Sequence, residues 1–431
     1  MSEAGATDPR ALLEFMFQLG QAYVACGEQT AQVELTLRRM ATAYGMRRPR
    51  IVTFPTAVFI TFHDGKEERL TLGEGPAQTL RLDQIADVHA LGDLAQRGEI
   101  DPPEGLKQLN GILRRGARFG VVGTVAGHAI LTVGLAMVLR PAPTRLAFAA
   151  LLGAIVGVLK LVGRERTVLV VPLPVVAAAL VSSLVFLAVK QGLGLEPLPL
   201  LVPPLVTFLP GAMLTLGMVE LAYGDMVSGS SRLMTGFVHL VLLAFGLAAG
   251  AALVGFSPDK LVASAGPAPD VAWIPWVGVV VFGIGMYLHL SAPRRSFLWI
   301  LAVLLLAFAA QQLTAGPFGN EISGFFGTLV ATPLAYLIRL RFGGPPAAVT
   351  FLPSFWLLVP GSLSLLSVTR MMSDRVAGVE GMVTAIFAIA SIALGTLVGA
   401  SLYRWSTETF GRWRMQIGRF DPLRRRRGGD G

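Results

Sequence analysis

The chain has 431 residues, of which 53% are hydrophobic and 15% charged, and its mean hydropathy is +0.62. A soluble domain carries about a quarter charged residues, so this composition excludes an ordinary soluble globular protein and points to membrane helices. The net charge of +9 does not call for nucleic acid, because much of it sits in a basic tail (Arg424-Arg425-Arg426-Arg427) and beside apolar segments, where it sets membrane topology.

Residues 1 to 116 contain no apolar span. The first ten are polar and lack the apolar core of a signal peptide. Helical periodicity predicts helices over 11–25 and 29–44, the second carrying Val33, Leu37 and Met40 on one face and stopping at Gly45. Short strands are expected at 51–54, 57–62 and 69–72, with His63-Asp64-Gly65-Lys66 as a turn between the last two. Two further helices follow, over 82–97 and 103–115. This part reads as a soluble α+β domain.

Little in it suggests catalysis. His63-Asp64 reads as a turn, His89 as a surface or core residue, and Asp83, Asp87 and Asp93 as a solvated face. Cys26 is the only cysteine, so there is no disulfide framework. No Walker A loop, HExxH, strand-linked GxGxxG or Cys/His cluster occurs, which argues against ATP-driven transport by this chain alone.

Ten apolar spans follow, at 119–139, 146–163, 167–189, 198–219, 233–255, 272–291, 297–313, 321–339, 349–369 and 380–403. Arg114, Arg115 and Arg118 before the first span, together with the Arg-rich tail, place both termini in the cytoplasm. The fourth span is broken at Pro210-Gly211, and the break recurs 150 residues later at Pro360-Gly361. Asp225 and Gly229 recur at an offset of 149 as Asp374 and Gly378, and the pair Gly246/Gly250 recurs as Gly395/Gly399. Five spans per copy invert the second copy. The fold class expected is a polytopic α-helical membrane protein of about ten transmembrane helices in a 5+5 inverted repeat, with an N-terminal soluble α+β domain. The segments are 1–116 (cytoplasmic domain), 117–255 and 256–404 (membrane repeats), and 405–431 (basic cytoplasmic tail).

Broken helices present free backbone N–H groups to an anion and unwound carbonyls to a cation. Pro210, Gly211, Pro360 and Gly361 are therefore candidate substrate-binding positions, and Thr207, Thr215, Ser362 and Ser364 lie within a turn or two of them. The bland alternative for each hydroxyl is a bond to its own helix. Asp225, Asp374 and Glu220 are candidate ion-coupling carboxylates. His128, His239 and His289 read as buried neutral histidines bonded to carbonyls.

The order and spacing of several stretches resemble the threonine/serine exporter family. They are Gly27-Glu28-Gln29-Thr30-Ala31-Gln32-Val33-Glu34, Ala41 to Gly45, Leu80-Arg81-Leu82 through Leu91, Gly98-Glu99-Ile100, the two Pro-Gly segments and the Asp-x-x-x-Gly motifs after them. The resemblance implies a secondary exporter of threonine and serine across the cytoplasmic membrane, coupled to an ion gradient, here taken as protons. Related two-subunit systems imply small dicarboxylates such as succinate as the alternative cargo. A membrane receptor or enzyme using the soluble domain is the other reading. The expected partners are a small amino acid and the lipid bilayer, with a homo-oligomer allowed and nucleic acid excluded. No cofactor, metal or catalytic residue is expected.

Overall fold

The computed structural model describes residues 8–63, 68–74, 80–139, 143–164, 172–256, 271–358 and 375–417. Asp8 starts α1 (Pro9–Ala25) by accepting from the Arg10 N–H at 3.0 Å, and Pro9 opens the helix where a missing N–H costs nothing. After Cys26, Gly27 turns the chain with φ +79°, a conformation a side chain would strain. The turn redirects Glu28 and Gln29 into α2 (Thr30–Ala43). Strands β1 (Arg47–Phe54), β2 (Ala57–His63) and β3 (Glu68–Glu74) form an antiparallel meander in that order. Alternation along them turns Ile51, Val58 and Ile60 into a core with Leu12, Phe15, Leu37 and Met40. The helices α3 (Leu82–Gln96) and α4 (Pro102–Arg114) complete this layer with Ile85, Val88 and Leu109. Its elements fall within a few residues of those expected. His63 pairs with Glu68 across the expected turn, while Asp64, Gly65 and Lys66 lie outside the described residues.

Eleven further α-helices are described: α5 (Gly120–Leu139), α6 (Pro143–Arg164), α7 (Leu173–Lys190), α8 (Pro197–Leu201), α9 (Gly211–Ala222), α10 (Met226–Val254), α11 (Ile274–His289), α12 (Phe297–Phe318), α13 (Asn320–Phe342), α14 (Ala347–Leu358) and α15 (Arg375–Ile417). Seven of them, α5, α6, α7, α10, α12, α13 and α15, contain stretches long and apolar enough to cross a membrane. Each such stretch buries less than half of itself against the rest of the chain. Phe245, Leu298, Leu313 and Phe387 stand 63–78% exposed on these helices, an arrangement that suits lipid and not water. The molecule is a mostly helical, polytopic membrane protein. The helices α9, α11 and α14 are apolar but shorter, at 12, 16 and 12 residues.

Small residues set how the helices meet. A methyl group on Gly134 of α5 would stand 2.2 Å from Phe282 N of α11, and one on Gly285 of α11 would stand 2.2 Å from Leu131 N. The two backbones therefore touch, which only glycine permits. Gly246 and Gly250 of α10 press on α7, where added methyls would meet Val175 O at 2.5 Å and Ala179 O at 2.3 Å. Gly395 and Gly399 of α15 press on α13 in the same manner, against Phe325 O at 2.2 Å and Leu329 O at 3.3 Å.

Candidate functional site

The expected fourth span is not one helix. Helix α8 ends at Leu201, the chain tightens into a 3-10 turn over Pro203–Phe208, Leu209 is extended, and α9 starts afresh at Gly211. Pro203, Pro204 and Pro210 lack backbone donors, so a continuous α-helical ladder cannot run through this stretch. Pro210 sits at the N-cap of α9 with no side-chain cap, which leaves the first N–H groups of that helix without a capping side chain.

Thr207, on the 3-10 turn, joins a polar cluster drawn from three membrane helices. Its Oγ1 accepts from Lys160 Nζ of α6 at 2.9 Å and lies 3.1 Å from His128 Nε2 of α5. Lys160 Nζ also lies 3.2 Å from His289 Nε2 of α11. His128 Nδ1 faces Gly153 O at 3.0 Å, and His289 Nδ1 faces Thr124 O at 2.9 Å. A carbonyl only accepts, so each Nδ1 carries the proton, and in the neutral ring each Nε2 is an acceptor. Thr207 then donates to His128, and Lys160 donates both to Thr207 and to His289. The imidazoles stand edge to face with centroids 4.7 Å apart, held there by the glycine-mediated contact of α5 with α11. His128 and His289 are buried, while Lys160, Thr207 and Phe208 are only partly so. Lys160 also lies 5.3 Å from the Phe208 ring centroid.

A second polar cluster ties the N-terminal layer to the membrane helices. Glu220, near the end of α9, pairs with Arg232 of α10 through Nε at 2.9 Å, and both side chains are buried. Glu220 Oε1 accepts from Thr30 N at 3.1 Å and Thr30 Oγ1 at 3.3 Å. Arg232 Nη2 donates to Glu28 O at 2.9 Å. The one proton of the Thr30 hydroxyl is shared between Glu220 and Asp225, and Asp225 also caps α10 at Ser228 N. Elsewhere along this seam, Leu82 N donates to Leu290 O at 3.1 Å and Arg339 of α13 pairs with Asp93. Arg81 holds Asp83 at 3.0 Å and also donates to the carbonyls of Arg115 and Gly116, just before α5.

The expected site residues thus divide. Thr207, Pro210 and Gly211 lie at the break, and Thr207 is in the Lys160 cluster. Thr215 is buried one turn into α9, and its Oγ1 has no partner among the described residues, so it is not back-bonded to its own helix. Glu220 and Asp225 lie at the seam. Pro360, Gly361, Ser362, Ser364 and Asp374 fall outside the described residues. Of the three aspartates expected on a solvated face, Asp83 is buried against Arg81, while Asp87 and Asp93 are partly exposed and paired with Arg115 and Arg339. The bland reading of His128 and His289 accounts for Nδ1 only; Nε2 of each joins the cluster. Lys160 did not stand out in the sequence, because a lysine four residues before Arg164 passes for a span-end charge. His128 and Lys160 within spans, together with Thr207 beside a proline break, were the signal available.

Residues 14–254, more than half of the chain, match the ThrE family, described as "Putative threonine/serine exporter". The chain belongs to this family. The match covers every member of the Lys160 cluster except His289, and all of the Glu220–Arg232–Thr30 seam. No curated protein and no solved structure matches the chain.

Proposed function

We propose that the protein is a secondary exporter of threonine, serine or a closely related small solute, located in the cytoplasmic membrane with both termini inside. The observation that carries this reading is Thr207, which sits on the broken segment before α9 and is bonded to a lysine and a histidine inside a membrane bundle of an exporter family. An interrupted helix with charged and polar groups at membrane depth is where a carrier binds solute.

In this reading the seven long helices and the apolar helices α9, α11 and α14 make ten spans in two inverted copies, with residues 1–116 as a cytoplasmic domain. Matched contacts support the repeat: Val175, Ala179 and Ser182 against α10 correspond at an offset of 150 to Phe325, Leu329 and Thr332 against α15. The uncapped N–H groups at the start of α9, from Gly211, would share the substrate carboxylate with the polar cluster at Thr207, with Thr215 for its hydroxyl, and the sequence repeat assigns Pro360, Gly361, Ser362 and Ser364 the same roles in the second copy. Glu220, Asp225 and Asp374 would couple proton movement to transport. Neutralising Glu220 would remove the negative charge to which Arg232 and Thr30 are bonded and so loosen the seam. Cys26 offers an enzyme reading no nucleophile, because burial pushes its thiol well above the usual range.

The test is counterflow of labelled threonine, serine and succinate in liposomes, with and without a pH gradient. Saturable threonine or serine movement that falls at least tenfold in Thr207→Val is expected. Movement of succinate alone would transfer the cargo to dicarboxylates, and no movement of any of the three would reject the exporter reading.

A further inference from the structure

We propose that Lys160 is a carboxylate-binding residue, and that the third donor of its ammonium group takes the anionic end of the transported solute. The proposal rests on the exporter reading and names the chemistry of its site. An ammonium has three donors. Two are used, at Thr207 Oγ1 and His289 Nε2, and both acceptors are neutral. His289 can accept from an ammonium at Nε2 only as the neutral ring, with its one N–H at Nδ1 toward the Thr124 carbonyl.

Among the described residues no carboxylate lies within 4.0 Å of Lys160, although each other ion pair of the bundle and seam has an acid in place: Arg232 has Glu220, Arg145 has Glu196 and Arg339 has Asp93. A cation inside an apolar bundle is costly without a counter-charge. The surrounding groups hydrogen-bond it and supply none. Lys160, Thr207 and Phe208 are partly exposed, and the two histidines are buried. A small carboxylate reaching the partly exposed Lys160 would meet an ammonium donor, with the Phe208 ring 5.3 Å from it. Thr207 and His289 act as positioning residues that aim the ammonium. The chemical class is a small carboxylate, as in an amino acid or a short dicarboxylate. The corresponding amide or alcohol lacks the charge this arrangement selects.

The test uses the purified full chain in nanodiscs and measures binding of L-threonine, L-threoninamide and succinate by calorimetry, alongside counterflow. Wild type should bind threonine at least tenfold more tightly than threoninamide. Lys160→Met should erase that ratio, and Lys160→Arg should keep part of it. Lys160→Gln, which retains a donor toward Thr207, replaces Lys160→Met if the latter does not fold. Loss of the ratio is the readout, because a purely structural lysine would weaken both ligands alike. Wild type that binds threoninamide as tightly as threonine, or a charge-free variant that keeps the wild-type ratio, overturns the proposal. The two readings separate cleanly. Flux that persists with unchanged selectivity in Lys160→Gln removes the carboxylate site and leaves the exporter. Lys160-dependent carboxylate binding without flux keeps the site and removes the exporter.

Discussion

Ser291 is the one non-glycine residue with positive φ among the described residues, at +53°, and it follows His289 by two positions. It ends α11 in the left-handed conformation usually given to glycine, and its buried Oγ has no partner among the described residues. The left-handed backbone costs a side-chain-bearing residue roughly 1–2 kcal/mol, and the unpaired hydroxyl adds to that. Glycine's greater freedom in the unfolded chain offsets about 0.5–1 kcal/mol. Ser291→Gly is therefore expected to stabilise the protein by about 1 kcal/mol. A denaturant titration in detergent checks this, and an unchanged or lower midpoint would mean that the strain is relieved elsewhere. At this scale the sequence was legible where a residue type names its own role, as with the hydroxyl of Thr207 beside a proline break. It was silent on Ser291 and Lys160. Serine after a helix and lysine near a span end are both ordinary, and their peculiarity is a backbone angle in one case and contacts with the distant 3-10 turn and α11 in the other.

Helices and strands were easier to read, because periodicity and caps act within a few residues. The meander, α1 to α4 and the break at Pro210-Gly211 all follow from local rules. The length of the break does not. It reaches back to Pro203, and only the pair Pro203-Pro204 ahead of Pro210 hints at that. Glycine content likewise hinted at close helices without saying which pairs. The structure separates the glycines by what stands next to them. Gly134→Val would drive a branched side chain into the backbone of α11, where a Cβ alone would lie 2.2 Å from Phe282 N. Since that neighbour is main chain it cannot rotate away, so the cost should exceed the roughly 1–3 kcal/mol typical of overpacking. The expected result is loss of the monodisperse peak in size-exclusion chromatography. Gly111, in the exposed interior of α4, has nothing within 4 Å of its missing Cβ. Gly111→Ala should raise stability by about 0.4–1 kcal/mol through the unfolded chain alone. If both variants behaved alike, the α5–α11 contact would not be as close as described.

The molecule as a whole depends on contacts that no local rule contains. Thr30 meets Glu220 and Asp225 about 190 residues further on, and Leu82 meets Leu290 across more than 200. The stretches carrying the family resemblance, Glu28 to Thr30 and Leu80 to Leu82, are the ones that dock on the membrane helices, so the resemblance marked the seam without revealing its geometry. Arg232 is the residue on which to test it, since it binds Glu220 with one nitrogen and the Glu28 carbonyl with another. Removing one partner of a buried ion pair leaves an uncompensated charge and typically costs roughly 3–5 kcal/mol, whereas removing both restores much of the loss. Arg232→Met should therefore destabilise strongly, and Arg232→Met with Glu220→Gln should recover most of the deficit. Hydrogen exchange over residues 28–33 should rise in the single variant, where an unpaired buried carboxylate is driven away from Thr30 N, and fall back in the double one, because the amide oxygen of Glu220→Gln still accepts from Thr30 N without a buried unpaired charge. Exchange that rises over the whole N-terminal layer would indicate that the layer itself unfolds. A rise confined to 28–33 would locate the effect at the seam, as expected if Glu220 holds the N-terminal layer against α9, the helix that begins at the break.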